Sequence, residues 1–104
     1  MQDIKSNIMM AITQAILEVN QTLPKDQKIS TDLDAPLYGP QGLVDSVTLV
    51  LLIVAIEQKI EESLQVTIVL GDYAAGLGEY NPFKNIKTLC EHIAVLINSG
   101  NYAA

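Results

Sequence analysis

Apolar residues recur at helical spacing in three parts of the chain. In the first part, residues 3 to 20, apolar side chains stand three and four positions apart with polar ones between them, which is typical of an amphipathic helix; they are Ile4, Ile8, Met9, Ile12, Ala15, Ile16 and Val19. Asn20 and Pro24 signal the end of this helix, because proline cannot continue its hydrogen-bond ladder.

The second part begins at Asp45-Ser46 and continues as VTLVLLIVAIEQKIEESL, without a glycine or a proline. Its β-branched residues favour a strand, but its length exceeds that of an ordinary strand, so a helix is predicted. Helical phase assigns Val47, Val50 and Val54 to the side that faces the core.

The third part predicts a last helix whose apolar side chains share one face: Phe83, Ile86, Leu89, Cys90, Ile93, Leu96 and Ile97. Asn98 to Gly100 mark its end. The preceding segment, residues 66 to 82, could form only one strand, which would lack a partner, so it is predicted to be irregular. It has room for a short helix at Asp72 to Leu77.

A long loop, residues 21 to 44, joins the first two helices and is rich in turn-forming residues. We expect four of its apolar side chains to fix it to the core: Leu33, Leu37, Tyr38 and Leu43. The 104 residues suit one domain, 1-104. The predicted fold is all-α, a small antiparallel four-helix bundle of three main helices and one short helix.

Charge and composition limit the classes of partner that the protein is expected to bind. Twelve acids stand against six lysines and no arginine, which disfavours nucleic acid and anionic lipid surfaces and favours transient contacts with basic protein surfaces. The uncharged run from Val47 to Ile56 is too short to span a membrane, so no membrane insertion is expected. A lone cysteine and the absence of a signal-peptide pattern indicate a cytoplasmic protein, and we expect a monomer.

Asp45 and Ser46 directly precede the apolar run of the second helix. Either side chain could cap the free N–H groups of the first helical turn, which is a common structural role. A helix N-terminus also suits a phosphate, because its N–H groups and the positive end of the helix dipole point outward. Local chemistry therefore leaves both a cap and an attachment point open for Ser46.

The stretch GLVDSVTLVLLIVAIEQKI resembles the attachment region of acyl carrier proteins, whose signature is Asp-Ser-Leu at the start of the second helix. Here the triplet reads Asp45-Ser46-Val47, and the order of helix, long loop, Asp-Ser helix, variable link and last helix is similar over most of the chain. The resemblance implies that Ser46 carries 4′-phosphopantetheine, taken from coenzyme A by a phosphopantetheinyl transferase that uses magnesium. It also implies that Asp45 presents the serine to that transferase.

The implied function is that of a free-standing acyl carrier, which is not itself an enzyme. It would hold acyl intermediates as thioesters for acyl-transferring and acyl-modifying enzymes of a specialised fatty-acid, lipid or polyketide pathway. An aminoacyl or peptidyl carrier is the nearest alternative, although such carriers usually have a Gly-Gly-x-Ser type of motif, which this chain lacks. A small helical adaptor that binds a partner through its second helix, without modification, is the alternative from another class.

One departure from the family pattern concerns partner choice. Carriers of fatty-acid synthesis usually have several acids soon after the serine, whereas here the first acid after Asp45 is Glu57. We therefore predict an apolar docking patch beside the serine, drawn from Val47, Thr48, Leu49, Leu51, Leu52 and Ile53. The alternative is that the long loop and the residues around Asp72 to Pro82 cover these side chains.

The remaining candidates favour structural roles. His92 lacks spaced Cys or His companions and is predicted to be a solvated surface residue, while Cys90 is predicted to be buried. A hydrolase that pairs Ser46 with His92 is disfavoured because no Gly-x-Ser-x-Gly elbow surrounds the serine. Three loop acids, Asp26, Asp32 and Asp34, lack the ligand spacing of a calcium loop. No metal site is predicted.

Overall fold

The computed structural model describes residues 4–38, 44–70 and 82–98, and within them the chain forms three α-helices and no β-strand. They are α1 (Ile4–Asn20), α2 (Ser46–Leu64) and α3 (Ile86–Asn98), with a short 3₁₀ helix at Lys25–Gln27. Helix α1 packs against both α2 and α3. The described part is all-helical, as predicted, whereas the short helix predicted at Asp72 to Leu77 lies outside the described residues.

The end of α1 is tied to the loop that follows it. The side chain of Asn20 donates from Nδ2 to the carbonyl of Ile29 at 3.0 Å and accepts from the Ile29 N–H at 2.7 Å. Lys28 Nζ donates to the Asn20 carbonyl at 2.6 Å, which is one of the carbonyls that a helix end leaves without an intrahelical donor. These contacts turn the chain back toward the bundle directly after α1.

Helix α2 has a defined structure at both ends. It starts where the sequence predicted, with Asp45 as its N-cap, and it ends at Leu64. The next residue, Gln65, adopts a left-handed conformation with φ of 58°, and its N–H donates to the Glu61 carbonyl at 2.9 Å. Residues with a Cβ seldom adopt the left-handed region of backbone angles. Here this conformation lets the Gln65 N–H close the last helical turn.

The core combines apolar side chains from all three helices with a few from the loops. The residues that are fully inaccessible to solvent include Ile8, Ile12, Ile16, Leu52, Ile56, Ile60, Phe83, Ile86, Leu89 and Ile93. Cys90 is buried, which confirms its predicted place, and its thiol donates to the Lys5 carbonyl at 3.6 Å. Among the described residues no helix is long and apolar enough to cross a membrane.

The long loop is fixed to the segment that precedes α3. The N–H of Leu37 donates to the Lys84 carbonyl at 2.8 Å, and the N–H of Tyr38 donates to the Phe83 carbonyl at 3.0 Å. Leu37 is buried and Tyr38 packs against the core, as predicted. Leu33 remains 40% exposed, but its carbonyl accepts from the Lys87 N–H at 3.1 Å, and Leu43 lies outside the described residues.

His92 is buried, so its prediction as a solvated surface residue was wrong. Helix α3 buries side chains around most of its circumference: Ile86, Leu89, Cys90, His92, Ile93, Ala94 and Leu96. The prediction assumed a single apolar stripe, whereas this helix is covered on more than one side. Burial lowers the pKa of His92, because desolvation disfavours the charged imidazolium.

Candidate functional site

Ser46 is the first residue of α2, and its side chain is exposed to solvent. The residue before it, Asp45, is exposed as well and has extended backbone angles, as an N-cap residue does. The two side chains that the sequence singled out therefore lie side by side at an accessible helix N-terminus. An incoming enzyme can reach the Ser46 hydroxyl without opening the bundle.

Asp45 performs the capping role at this end of α2. Its Oδ1 accepts from the Thr48 N–H at 2.7 Å, and its carbonyl accepts from the Leu49 N–H at 2.9 Å. The hydrogen bonds from Thr48, first from its N–H and then from its hydroxyl, hold the pKa of Asp45 below its ordinary value. The carboxylate is thus stabilised in its charged form, and the cap does not depend on the Ser46 hydroxyl.

A series of backbone hydrogen bonds fixes the position of this site. The N–H of Val44 donates to the Leu37 carbonyl at 3.1 Å, and the N–H of Leu37 donates to the Lys84 carbonyl. Val44 itself is buried. The residue directly before the Asp-Ser pair is therefore held by the long loop, which is held in turn by the chain just before α3.

The exposed side of α2 differs from the predicted one. Val47, Val50 and Val54, which helical phase assigned to the core, are 71%, 58% and 48% exposed. That assignment was wrong, because α2 turns a different side toward the bundle: its buried residues are Leu49, Leu52, Ile53, Ala55, Ile56 and Ile60. The uncharged run has apolar residues on every side, so its sequence pattern could not indicate which side is buried.

The predicted docking patch is therefore corrected residue by residue. Leu51 is 50% exposed and Val47 is exposed beside Ser46, so both remain available to a partner. Thr48 is half-buried. Leu49, Leu52 and Ile53 are buried in the core, and they cannot contribute to a docking surface. An apolar surface does lie next to Ser46, but valines provide most of it.

A shallow groove of about 290 Å³ continues this surface toward α1. Leu51, Val54 and Ala55 line its α2 side, and Val19 and Thr22 line its α1 side. The ion pair between Lys59 Nζ and Glu18 Oε2, at 2.9 Å, joins the same two helices. Sequence reasoning missed the groove, because it depends on how α1 and α2 pack and no local pattern records that.

Glu57, the first acid after Asp45, has a structural role. Its Oε2 accepts from the Leu70 N–H at 2.7 Å, so it fixes the segment that follows α2. Leu70 and Ile68 are buried, which anchors this segment on the core. Glu57 is therefore engaged within the chain, and the acids that face solvent in α2 are Glu61 and Glu62.

The other candidates do not form a site in the described part of the chain. No group of three or more His, Cys, Asp or Glu side chains there could hold a metal ion. Asp26, Asp32 and Asp34 are all exposed, as expected of solvated loop acids. His92 is buried in α3, whereas Ser46 is exposed at the start of α2, and this contrast gives no support to a Ser-His hydrolase.

Comparisons of the chain with protein-family models, with characterised proteins and with solved structures find no match.

Proposed function

We propose that this chain is an acyl carrier, in which Ser46 bears a 4′-phosphopantetheine arm and the thiol of that arm holds acyl groups as thioesters. The observation that carries the proposal is the exposed Ser46 hydroxyl at the first position of α2, directly after the capping Asp45. Because Asp45 supplies the cap, the serine hydroxyl is available for esterification. This function needs no catalytic residue in the chain itself.

The loading step is a phosphoryl transfer in which Ser46 is the nucleophile. Ser46 Oγ forms a bond to the phosphorus that bears the pantetheine in coenzyme A, the diphosphate bond breaks, and adenosine 3′,5′-bisphosphate leaves. The serine proton passes to a base of the phosphopantetheinyl transferase. Magnesium held by the transferase would neutralise the diphosphate, and the ionised Asp45 beside Ser46 would help to present the hydroxyl to that metal-containing site.

We also propose a fold and a pathway. In the proposed fold the chain forms an antiparallel four-helix bundle, of which α1, α2 and α3 are the three main helices. The flexible arm would raise the effective concentration of its cargo at each docked enzyme. Since valines and Leu51 replace the acids that usually follow the serine, we assign the carrier to a specialised fatty-acid, lipid or polyketide pathway in the cytoplasm.

A second candidate is a small helical adaptor that binds a partner through α2 without being modified. The exposed apolar residues Val47, Val50, Leu51 and Val54 favour it, because an exposed apolar patch often marks a protein contact. The two candidates differ in one property, since only the carrier requires a covalent change at Ser46.

Intact-mass measurement separates them. The protein is incubated with coenzyme A, magnesium and a broad-specificity phosphopantetheinyl transferase, beside a reference carrier. We expect one phosphopantetheine addition to the wild type and to Ser63→Ala, which changes another exposed serine of α2, and none to Ser46→Ala. An unmodified wild type, under conditions that modify the reference carrier, would favour the adaptor.

A further inference from the structure

Helix α1 has a side without charge that faces away from the core. Residues three, four and seven positions apart lie on one side of a helix, and on this side they are exposed or half-buried and all uncharged: Ser6, Met9, Met10, Thr13, Gln14 and Leu17. We refer to these six residues as the α1 face. Its two most exposed apolar side chains are Met10 and Leu17, at 59% and 53%.

One half of the α1 face is concave, and an apolar side chain stands in the other half. A groove of about 500 Å³ is lined by Ser6, Met9, Met10, Thr13 and Gln14. The first four of these occupy positions i, i+3, i+4 and i+7 of the helix, and four such residues form the hole that receives one side chain in knobs-into-holes packing. Leu17 lies one turn beyond Thr13 and is not part of the groove. The face therefore has both a hole and an apolar side chain of the kind that fills one.

A second copy of the chain supplies the matching surface when the two α1 helices pack antiparallel. A two-fold axis between Thr13 and Gln14 places Leu17 of each copy over the groove of the other, because the centre of the groove lies as far before this axis as Leu17 lies after it. In a parallel pair Leu17 would face Leu17, and the two grooves would face each other. The α1 face is thus self-complementary in the antiparallel orientation, as the interface of a two-fold dimer must be.

Charge favours the same face and the same orientation. The chain has a net charge of −6, so two copies repel each other wherever acidic surfaces meet. The acid of α1, Glu18, lies outside the face and pairs with Lys59 of its own copy at 2.9 Å. In the antiparallel pair the two Glu18 residues stand about 14 Å apart along the helix axis, beyond the screening length of about 10 Å at moderate salt. A parallel pair would bring them side by side.

The area of the α1 face limits the strength of this contact. Helix α1 has 17 residues and is about 25 Å long, so one side of it buries a few hundred Å² on each copy. A stable interface of standard size buries about 800 Å² on each partner. The face therefore suits a weak, reversible dimer.

We propose that the α1 face is the interface of a weak, two-fold symmetric dimer of this chain, in which Leu17 of each copy fills the groove beside Met9 and Met10 of the other. A monomer–dimer equilibrium thus takes the place of the expected monomer. This contact goes beyond the proposed carrier function and does not rest on it, because Ser46 is not part of the face and the unmodified chain is sufficient.

Sedimentation equilibrium of the unmodified full chain, from about 10 µM to about 1 mM, tests the dimer. We expect the weight-average mass to rise from 11.3 kDa toward twice that value as the concentration increases. Because the two copies have like charge, raising the salt concentration from about 50 mM to about 500 mM should lower the dissociation constant about threefold. A mass that stays at the monomer value throughout would overturn the proposal.

A charge at position 17 tests the face itself. Leu17→Glu puts a carboxylate where the groove requires an apolar side chain, so it should raise the dissociation constant at least about tenfold. Val95→Glu is the matched control, because it adds the same charge at an apolar residue of α3 that is 64% exposed. We expect this control to stay within about twofold of the wild type. Equal weakening by both substitutions would contradict the α1 face.

Cysteine cross-linking tests the orientation without adding a charge. In the antiparallel dimer the two copies of residue 14 stand about 2 Å apart along the helix axis, and those of residue 6 about 22 Å apart. With a mild thiol oxidant, Gln14→Cys should form a disulfide-linked dimer and Ser6→Cys should remain monomeric. The native Cys90 is buried, so the wild type measures the background. Cross-linking of Ser6→Cys as readily as Gln14→Cys, or of neither above the background, would overturn the antiparallel dimer.

Discussion

Asp45 and Ser46 divide two tasks that either side chain could perform at a helix N-terminus. The carboxylate of Asp45 accepts from the Thr48 N–H, so this N–H of the first turn of α2 is capped without the serine. The Ser46 hydroxyl then stays exposed and available for reaction. The sequence could place this pair at the start of α2, but only the structure assigned the cap to Asp45.

The cap and the charge of Asp45 can be tested separately. Asp45→Ala removes both, and we expect it to lower the midpoint of thermal unfolding by a few degrees. Asp45→Asn keeps a capping oxygen, so its unfolding midpoint should stay near that of the wild type. If the charge presents Ser46 to the transferase, loading should slow in both variants. Normal loading of Asp45→Asn would restrict Asp45 to capping.

His92 makes stability depend on pH. Its pKa in the folded protein is below its ordinary value of 6.5, so the unfolded chain binds a proton first as the pH falls. The free energy of unfolding should therefore be unaffected by His92 above pH 6.5 and decrease below it, by at most about 1.4 kcal/mol per pH unit.

Urea unfolding at pH 7.5 and at about pH 5.5 measures this dependence. In His92→Gln, which cannot titrate, the decrease across this interval should be smaller than in the wild type. An equal decrease in both proteins would show that His92 does not cause it.

At the scale of the helices, α2 shows why an apolar run alone does not reveal its buried side. From Val47 to Ile56 no residue is charged, so several helical phases bury a comparable amount of apolar surface. The observed phase buries Leu52 and Ile56 completely and leaves Val50 exposed. In this phase α2 packs against α1. The same phase leaves Glu61 and Glu62, near the C-terminus of α2, exposed to solvent.

Two neighbouring leucines test the phase of α2 directly. Leu52 is fully buried and Leu51 is half-exposed, so the two positions differ in environment but not in side chain. Leu52→Ala should reduce the free energy of unfolding by about 2 to 5 kcal/mol, because it leaves a cavity. Leu51→Ala should reduce it by less than about 1 kcal/mol. Equal losses in urea unfolding would contradict the observed phase.

The C-terminus of α2 offers a stabilising substitution. Gln65 adopts a left-handed conformation that glycine accepts without steric cost, so Gln65→Gly should raise the free energy of unfolding by up to about 1 kcal/mol. Ser63→Gly, inside the last turn of α2, should lower it by about 0.5 to 1 kcal/mol. A loss of stability in Gln65→Gly would contradict this C-cap geometry.

At the scale of the whole molecule, local sequence signals were enough to predict where the helices lie along the chain. They were not enough to predict how the helices and loops pack together. Spacing, Pro24 and the Asp-Ser pair located α1 and the start of α2, because caps and breakers act within a few residues. The contacts of Leu37 and Tyr38 with the chain before α3 join residues far apart in sequence, and no local pattern encodes them. For the same reason the burial of His92 could not be predicted.

The candidate site shows the same contrast between local sequence signals and tertiary packing. Local signals located Asp45 and Ser46 at a helix start, whereas the resemblance to acyl carrier proteins made Ser46 the expected attachment point. The exposed side of α2 depends on tertiary packing, which buries Leu49 and Leu52 and leaves Val50 and Val54 exposed.

Mapping of the modified residue after transferase treatment tests the central claim most directly. The wild-type protein, loaded from coenzyme A in the presence of magnesium, is cleaved and its fragments are analysed by tandem mass spectrometry. We expect one phosphopantetheine group, located on Ser46, and an unmodified but folded Ser46→Ala protein. A wild type that stays unmodified beside a loaded reference carrier, or a group found on another residue, would contradict the account.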